Sequence, residues 1–184
     1  MSLPLPEVPG DAAQLVRAAA AGDGRAKRTL VENTLPFVHR MMTRLVGRRA
    51  EHDDLVQTVY ARCFRSLGTF RGEASFTTWL GAICVNVATN YWHERKANEQ
   101  NVGDAPELLL ISGGNTENQL AAREGLREAQ RLLSSMSASL RTAFVLHVLE
   151  GYDIDTVAAM THTSAAAAYK AVERARKHIE ARRT

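Results

Sequence analysis

The sequence predicts an all-α protein made of two small helical domains joined by a flexible linker, the second containing a helix-turn-helix. Three observations predict it. Apolar residues recur at helical spacing from Leu30 to Tyr91 and again from Leu126 onward. Between residues 97 and 123 the periodicity disappears, in a stretch that holds Gly103, Pro106, Gly113 and Gly114. Strand-like runs of alternating apolar and polar residues are almost absent. The resulting boundaries are a helical domain over 11–96, a linker over 97–123 and a second helical domain over 124–184.

Residues 1–10 carry Pro4, Pro6 and Pro9 and read as a loose tail. Asp11 is expected to cap a first helix that breaks at Gly22, Asp23 and Gly24. Residues 25–46 read as a long helix with Leu30, Phe37, Val38, Met41, Met42 and Leu45 near one face, kinked by Pro36. After a turn at Gly47, Arg48 and Arg49, Asp53 or Asp54 caps a third helix. Its stripe is Leu55, Val56, Val59, Tyr60, Cys63, Phe64 and Leu67. A loop spans 68–74, and Ser75 caps a fourth helix with the stripe Phe76, Trp79, Leu80, Ile83, Val87 and Tyr91. The linker is interrupted by an apolar run at 108–111, suited to docking or a short helical turn. Leu126, Ala129, Leu132 and Leu133 then mark a fifth helix. Ser137 or Ser139 caps a sixth, which stops at Gly151. A short helix near 154–160, a turn at 161–164 and a last helix over 165–181 complete the chain.

The 184 residues suffice for one large domain or two small ones, and 45% hydrophobic composition supports a packed core. The net charge of +3 is unevenly spread. Residues 1–100 carry 13 Lys and Arg against 10 Asp and Glu, residues 101–125 carry 1 against 4, and residues 126–184 carry 9 against 6. Two mildly basic blocks flank an acidic connector, a division suited to touching nucleic acid in two places. Cys63 and Cys84 fall inside helical patterns with no CxxC, so a reduced, buried role is expected rather than a disulfide or metal site. The histidines at 39, 52, 93, 147, 162 and 178 are scattered, and none pairs with another His or Cys in the sequence. The start of the chain lacks the pattern of a signal peptide, and no apolar run is long enough to span a bilayer. A cytoplasmic protein without membrane insertion is the expectation.

Three constellations remain. The last two helices have the form of a helix-turn-helix: a short helix with small Ala158 and Ala159 toward its partner, a tight turn, then a helix carrying Tyr169, Lys170, Arg174, Arg176 and Lys177. His162 stands where the turn usually takes glycine; histidine is among the few other residues that tolerate positive φ. The loop at 70–75 offers Phe70 as a ring for an unstacked base, Arg71 for phosphate and Gly72 for backbone freedom. Asn86 and Asn90, one turn apart on the following helix, present amides to base edges, with Arg95 and Lys96 beyond them. The third constellation is the acidic helix start, Glu51, Asp53 and Asp54, followed by Gln57 and Thr58. No third carboxylate or histidine in that segment completes a catalytic set, so no enzyme, cofactor, metal or small-molecule substrate is expected.

In this order the pieces resemble the bacterial sigma factors of the sigma-70 family, specifically the small extracytoplasmic-function subgroup. DDLVQTVYARCFRSLGTFRGEASFTTWL is similar to that family's second conserved region; SASLRTAFVLHVLEGYDIDTVAAM and ERARKHI are similar to its fourth. The resemblance implies a role for each constellation. Asp53, Asp54, Leu55, Gln57 and Thr58 would face core RNA polymerase. Phe70, Arg71, Gly72 and Ser75 would form a pocket for a flipped base of the minus-ten element, with Asn86, Asn90, Arg95 and Lys96 along the melted strand. Tyr169, Lys170, Glu173, Arg174 and Lys177 would lie at the minus-thirty-five element. The acidic linker would thread the path later taken by RNA, and an anti-sigma partner would hold the protein inactive. The recognition helix departs from the family pattern: alanines occupy 165–168, Ala171 replaces a basic position and Glu173 would repel phosphate. A conventional helix-turn-helix regulator with an N-terminal interaction domain is the alternative; it requires tight duplex binding by the chain alone.

Overall fold

The structure is a computed structural model and describes residues 12–47, 49–98 and 117–182. Every regular element among them is helical: α1 (Ala12–Ala20), α2 (Gly24–Val46), α3 (His52–Ser66), α4 (Phe76–Asn98), α5 (Glu117–Ser134), α6 (Ala138–Phe144), α7 (Ile154–Thr161) and α8 (Ala165–Glu180). A 3-10 turn at Leu67–Thr69 follows α3, and a wide π turn at Val145–Leu149 continues α6. The N-terminal tail, the Asp11 cap and the apolar run at 108–111 lie outside the described residues.

The α2 N-terminus is held by Asp23, whose side chain accepts from Arg25 N at 2.8 Å and Ala26 N at 3.4 Å. All six apolar residues of its predicted stripe are buried. Pro36 is exposed and lies within an uninterrupted helical span. The α3 cap differs from expectation. The helix starts at His52 with Glu51 in the cap position and no side-chain capping bond. Asp53 and Asp54 therefore occupy the first turn, where they complement the helix dipole instead of capping. Tyr60 reaches from α3 to Thr34 of α2, Oη to Oγ1 3.0 Å, and burial pushes its phenol up to about 12.

On α4 the buried set is wider than the predicted stripe: Cys84, Val85 and Ala88 join Phe76, Leu80 and Val87. The reason is a second neighbour. α7 also packs against α4, and a Cβ on Gly81 would stand 2.9 Å from Met160 Cε, 3.3 Å from Tyr152 Oη and 3.5 Å from Phe37 Cζ. α5 begins at Glu117 rather than at Leu126. Polar amides and charges there hide the helix from an apolar-period argument. Ser137 precedes α6 without a side-chain capping bond. Asp153 caps α7, and Ser164 caps α8 by accepting from Ala167 N at 3.2 Å. The α7–α8 turn is a Schellman closure: Thr163 N donates to Ala158 O at 2.9 Å, and His162 sits at φ 54°. Ala158 is buried against its neighbours, but Ala159 is exposed and does not serve that contact.

One buried cluster includes residues from both sides of the 97–123 segment. A polar seam joins them. Glu150, only 4% exposed, is paired with Arg40 of α2 (Oε2 to Nη2 3.2 Å) and with Arg44. Arg141 of α6 is buried and donates to four backbone carbonyls: Leu133, Ser134 and Met136 on its own side, and Leu45 of α2 at 3.1 Å. Its guanidinium lies 4.5 Å from the centroid of the Trp92 ring, and Trp92 Nε1 also donates to Leu45 O. Desolvation, then the nearby charge of Arg49, lowers the Arg141 pKa to about 10, so it remains cationic at neutral pH.

Both cysteines are free and buried. Burial pushes Cys63 up to about 12 and Cys84 higher still. Because the thiolate is the reactive form, the folded chain is expected to resist a disulfide-exchange reagent. Both thiols should react once denaturant is added. Rapid native labelling of either would contradict the burial described here.

Candidate nucleic-acid interface

The 3-10 turn fixes where the loop at 70–75 begins. Phe70 N donates to Leu67 O at 3.1 Å, and Thr69 Oγ1 donates to Ser66 O at 2.7 Å. The loop then runs through Gly72 at φ 75°, where an added Cβ would meet nothing within 4 Å, so glycine serves backbone conformation rather than space. It ends at Ser75, which caps α4 by accepting from Thr78 N at 3.1 Å. Residues 71–75 are exposed, Arg71 by 83% of its side chain. The Arg71–Glu73 pair at 4.0 Å is a loose surface contact that leaves the guanidinium available.

Phe70, read from the sequence as a ring for an unstacked base, stands among other rings. It is half-buried, edge-on to Phe76 with centroids 5.6 Å apart and tilted against Trp79 at 5.4 Å. The three rings form one aromatic wall beneath the exposed loop. Phe76 belongs to the core; Phe70 and Trp79 are half-buried. A planar base can lie against such a wall while phosphate meets Arg71.

Further along α4, Asn86 is half-buried and Asn90 exposed. With its oxygen turned inward, the Asn90 amide accepts from both terminal nitrogens of Arg62 on α3 at 3.1 Å. Asn90 in that orientation meets α3, which brings Arg62, absent from the sequence-based set, to this face. Arg95 donates to Tyr91 Oη at 3.3 Å. The Lys96 side chain lies outside the described residues.

At the start of α3, Asp53, Asp54 and Gln57 are exposed, and Thr58 is half-buried with its hydroxyl bonded to Asp54 O at 2.8 Å. Leu55 packs against the core, so only part of its surface is open to a partner. The histidines correct the sequence reading. His39 and His52, distant in the chain, are brought together with Nδ1 and Nε2 3.2 Å apart.

α8 buries Ala168, Val172 and Ala175 and turns Tyr169, Lys170, Arg174 and Lys177 outward. Tyr169 is 57% exposed, a large apolar side chain held in water. Glu173 is half-buried and lies 3.7 Å from Arg176, which offsets the repulsion expected of it beside phosphate. Alanines at 165–167 leave the first turn of α8 low and exposed behind the Ser164 cap.

Comparison with known proteins places this arrangement. Residues 30–98 match sigma-70 region 2, and residues 126–179 match sigma-70 region 4. The chain belongs to the sigma-70 family. Within it, the extracytoplasmic-function (ECF) branch is the one it joins: it is 30% identical over 174 residues to the ECF RNA polymerase sigma-E factor of Haemophilus influenzae, covering 90% of this chain and 92% of that one. The ECF RNA polymerase sigma-E factor of Escherichia coli K12 is 29% identical over 174 residues, covering 90% and 91%. Two solved structures share the fold. CnrH, solved with the cytosolic domain of CnrY, has a TM-score of 0.66 at 21% identity, covering 92% of this chain and 95% of that one. The sigma factor RpoE, solved with the anti-sigma factor NepR from Bartonella quintana, has a TM-score of 0.68 at 18% identity, covering 83% and 93%. No described helix is long and apolar enough to cross a membrane.

Proposed function

We propose that this chain is a promoter-specificity subunit: it binds core RNA polymerase in the cytoplasm, directs it to promoters and stabilises the melted strands, without chemistry of its own. The observation that carries this reading is the exposed loop at 70–75 over the Phe70, Phe76 and Trp79 wall, inside the stretch that matches sigma-70 region 2. Such a surface stabilises an extruded base and so offsets part of the cost of unpairing. Asp53, Asp54, Leu55, Gln57 and Thr58 form the polymerase-facing edge in this reading. Phe70, Arg71, Gly72, Ser75, Asn86, Asn90, Arg95 and Lys96 serve the minus-ten strand. Tyr169, Lys170, Glu173, Arg174 and Lys177 serve the minus-thirty-five duplex. Release from an anti-sigma partner in response to a signal is the expected control, in keeping with the CnrY and NepR complexes of its structural neighbours.

The test is reconstitution. The chain, added to core polymerase and a promoter library, should give discrete transcript starts. Absence of such starts, with tight duplex binding by the chain alone, would favour a conventional helix-turn-helix regulator. Within the reconstituted system, Asn86→Ala should reduce open-complex formation about 10-fold or more, the scale of one lost base contact. Core binding should be unchanged. Asp54→Lys should show the opposite pattern, with weakened core binding. A loss of core binding by Asn86→Ala would break this division of labour.

A further inference from the structure

We propose that α2 and α3 together form a site for a divalent transition-metal ion of the zinc class, held by His39, His52 and Asp53. His39 lies late on α2, and His52 and Asp53 begin α3, so the bend between the helices creates the cluster. The candidate ligand atoms of all three residues lie within 4.8 Å of one another. His39 Nδ1 and His52 Nε2 are 3.2 Å apart, and the ring centroids are 5.3 Å apart. Both spacings suit chelation. Two nitrogens bound at about 2.0–2.1 Å to one tetrahedral ion are about 3.4 Å apart, and rings radiating from it have centroids roughly 5 Å apart.

The donor types agree with the geometry. Two imidazoles and one carboxylate form a borderline set that suits zinc and its first-row neighbours better than calcium or magnesium. Both histidines are half-buried, which limits the rearrangement that binding would require. Asp53 is exposed, so its carboxylate can swing toward the nitrogens, and a water would complete a four-coordinate set. An N–H···N hydrogen bond between the rings has the same separation, so the experiment must separate the two states.

The experiment uses the full chain without an affinity tag and zinc ion alone, in competition with a chromophoric chelator. One equivalent should bind. His39→Gln and His52→Gln should each weaken it by at least about 10-fold, whereas His93→Gln should not change it. Cobalt in place of zinc should give the intense visible bands of tetrahedral coordination. Zinc should raise the melting temperature of the wild type and of His93→Gln only, since the ion binds the folded site. Because a misfolded variant would also lose the ion, imidazole NMR shifts of the wild type supply an independent reading: the His39 and His52 signals should move together with zinc. Failure to bind one equivalent, weak octahedral cobalt bands, undiminished binding by both variants, or zinc shifts confined to other histidines would overturn the proposal and leave a hydrogen-bonded pair.

Discussion

Arg141→Ala is expected to destabilise the fold by about 3–5 kcal/mol, because several buried carbonyls lose their donor at about 1–3 kcal/mol each. The guanidinium is the common donor for Leu133, Ser134, Met136 and Leu45 carbonyls. Alanine leaves these acceptors without it and opens a void beneath Trp92. Water entering that void would recover part of the loss, which favours the lower end of the range. Urea unfolding followed by tryptophan fluorescence measures the effect. With a slope of about 1–3 kcal/mol per molar, the midpoint should fall by about 1 M or more. Arg131→Ala, at an exposed position whose ion-pair partner among the described residues is Glu128 three residues away, is the control and should shift little. Equal shifts for the two variants would mean that Arg141 does not hold the seam.

Glu150→Ala should cost about 2–3 kcal/mol, at or below the usual range for breaking a buried pair. The side chains of Arg40 and Arg44 retain 28% and 24% exposure and can turn toward water, which limits the loss. The effect should be asymmetric. Arg40→Ala or Arg44→Ala leaves Glu150 one cation, so either should cost less than removing the acid. Small-angle scattering adds a second reading: Glu150→Ala should enlarge the particle while circular dichroism retains its helix content. An unchanged radius and melting curve would show that the acid contributes nothing to joining α2 to the 145–150 turn.

Much of this architecture is legible in the residue pattern because helices expose their period. Leu30, Phe37, Val38, Met41, Met42 and Leu45 announce the buried face of α2, and His162 announces a left-handed turn. Information carried by partners distant in sequence escapes. Gly81 looks like an ordinary blemish in a helix until Met160 and Tyr152 are seen against it. Glu150 gives no sign that its cations are Arg40 and Arg44, and Asn90 gives none that Arg62 holds its amide. The start of α3 is ambiguous for a local reason: several adjacent acids each satisfy the capping preference, and composition alone does not choose among them. The interface residues are legible largely through resemblance. An exposed Arg71 or Lys170 carries no periodic signature that separates a contact from ordinary solvated charge.

The π turn at Val145–Leu149 has a consequence for how the chain is keyed together. Glu150 N donates to Val145 O at 2.9 Å, spanning five residues where an α-helix would span four. The surplus residue resets the angular phase of the downstream chain by about 100°, one residue's rotation in an α-helix. Regular α winding of the same residues would carry the acid about 100° away from Arg40 and Arg44, whereas deleting one residue inside the turn would shorten the five-residue span to four and leave the acid near its present heading. The docking of one half on the other thus depends on a local misfit in helical pitch, a feature that conservative side-chain substitution leaves untouched.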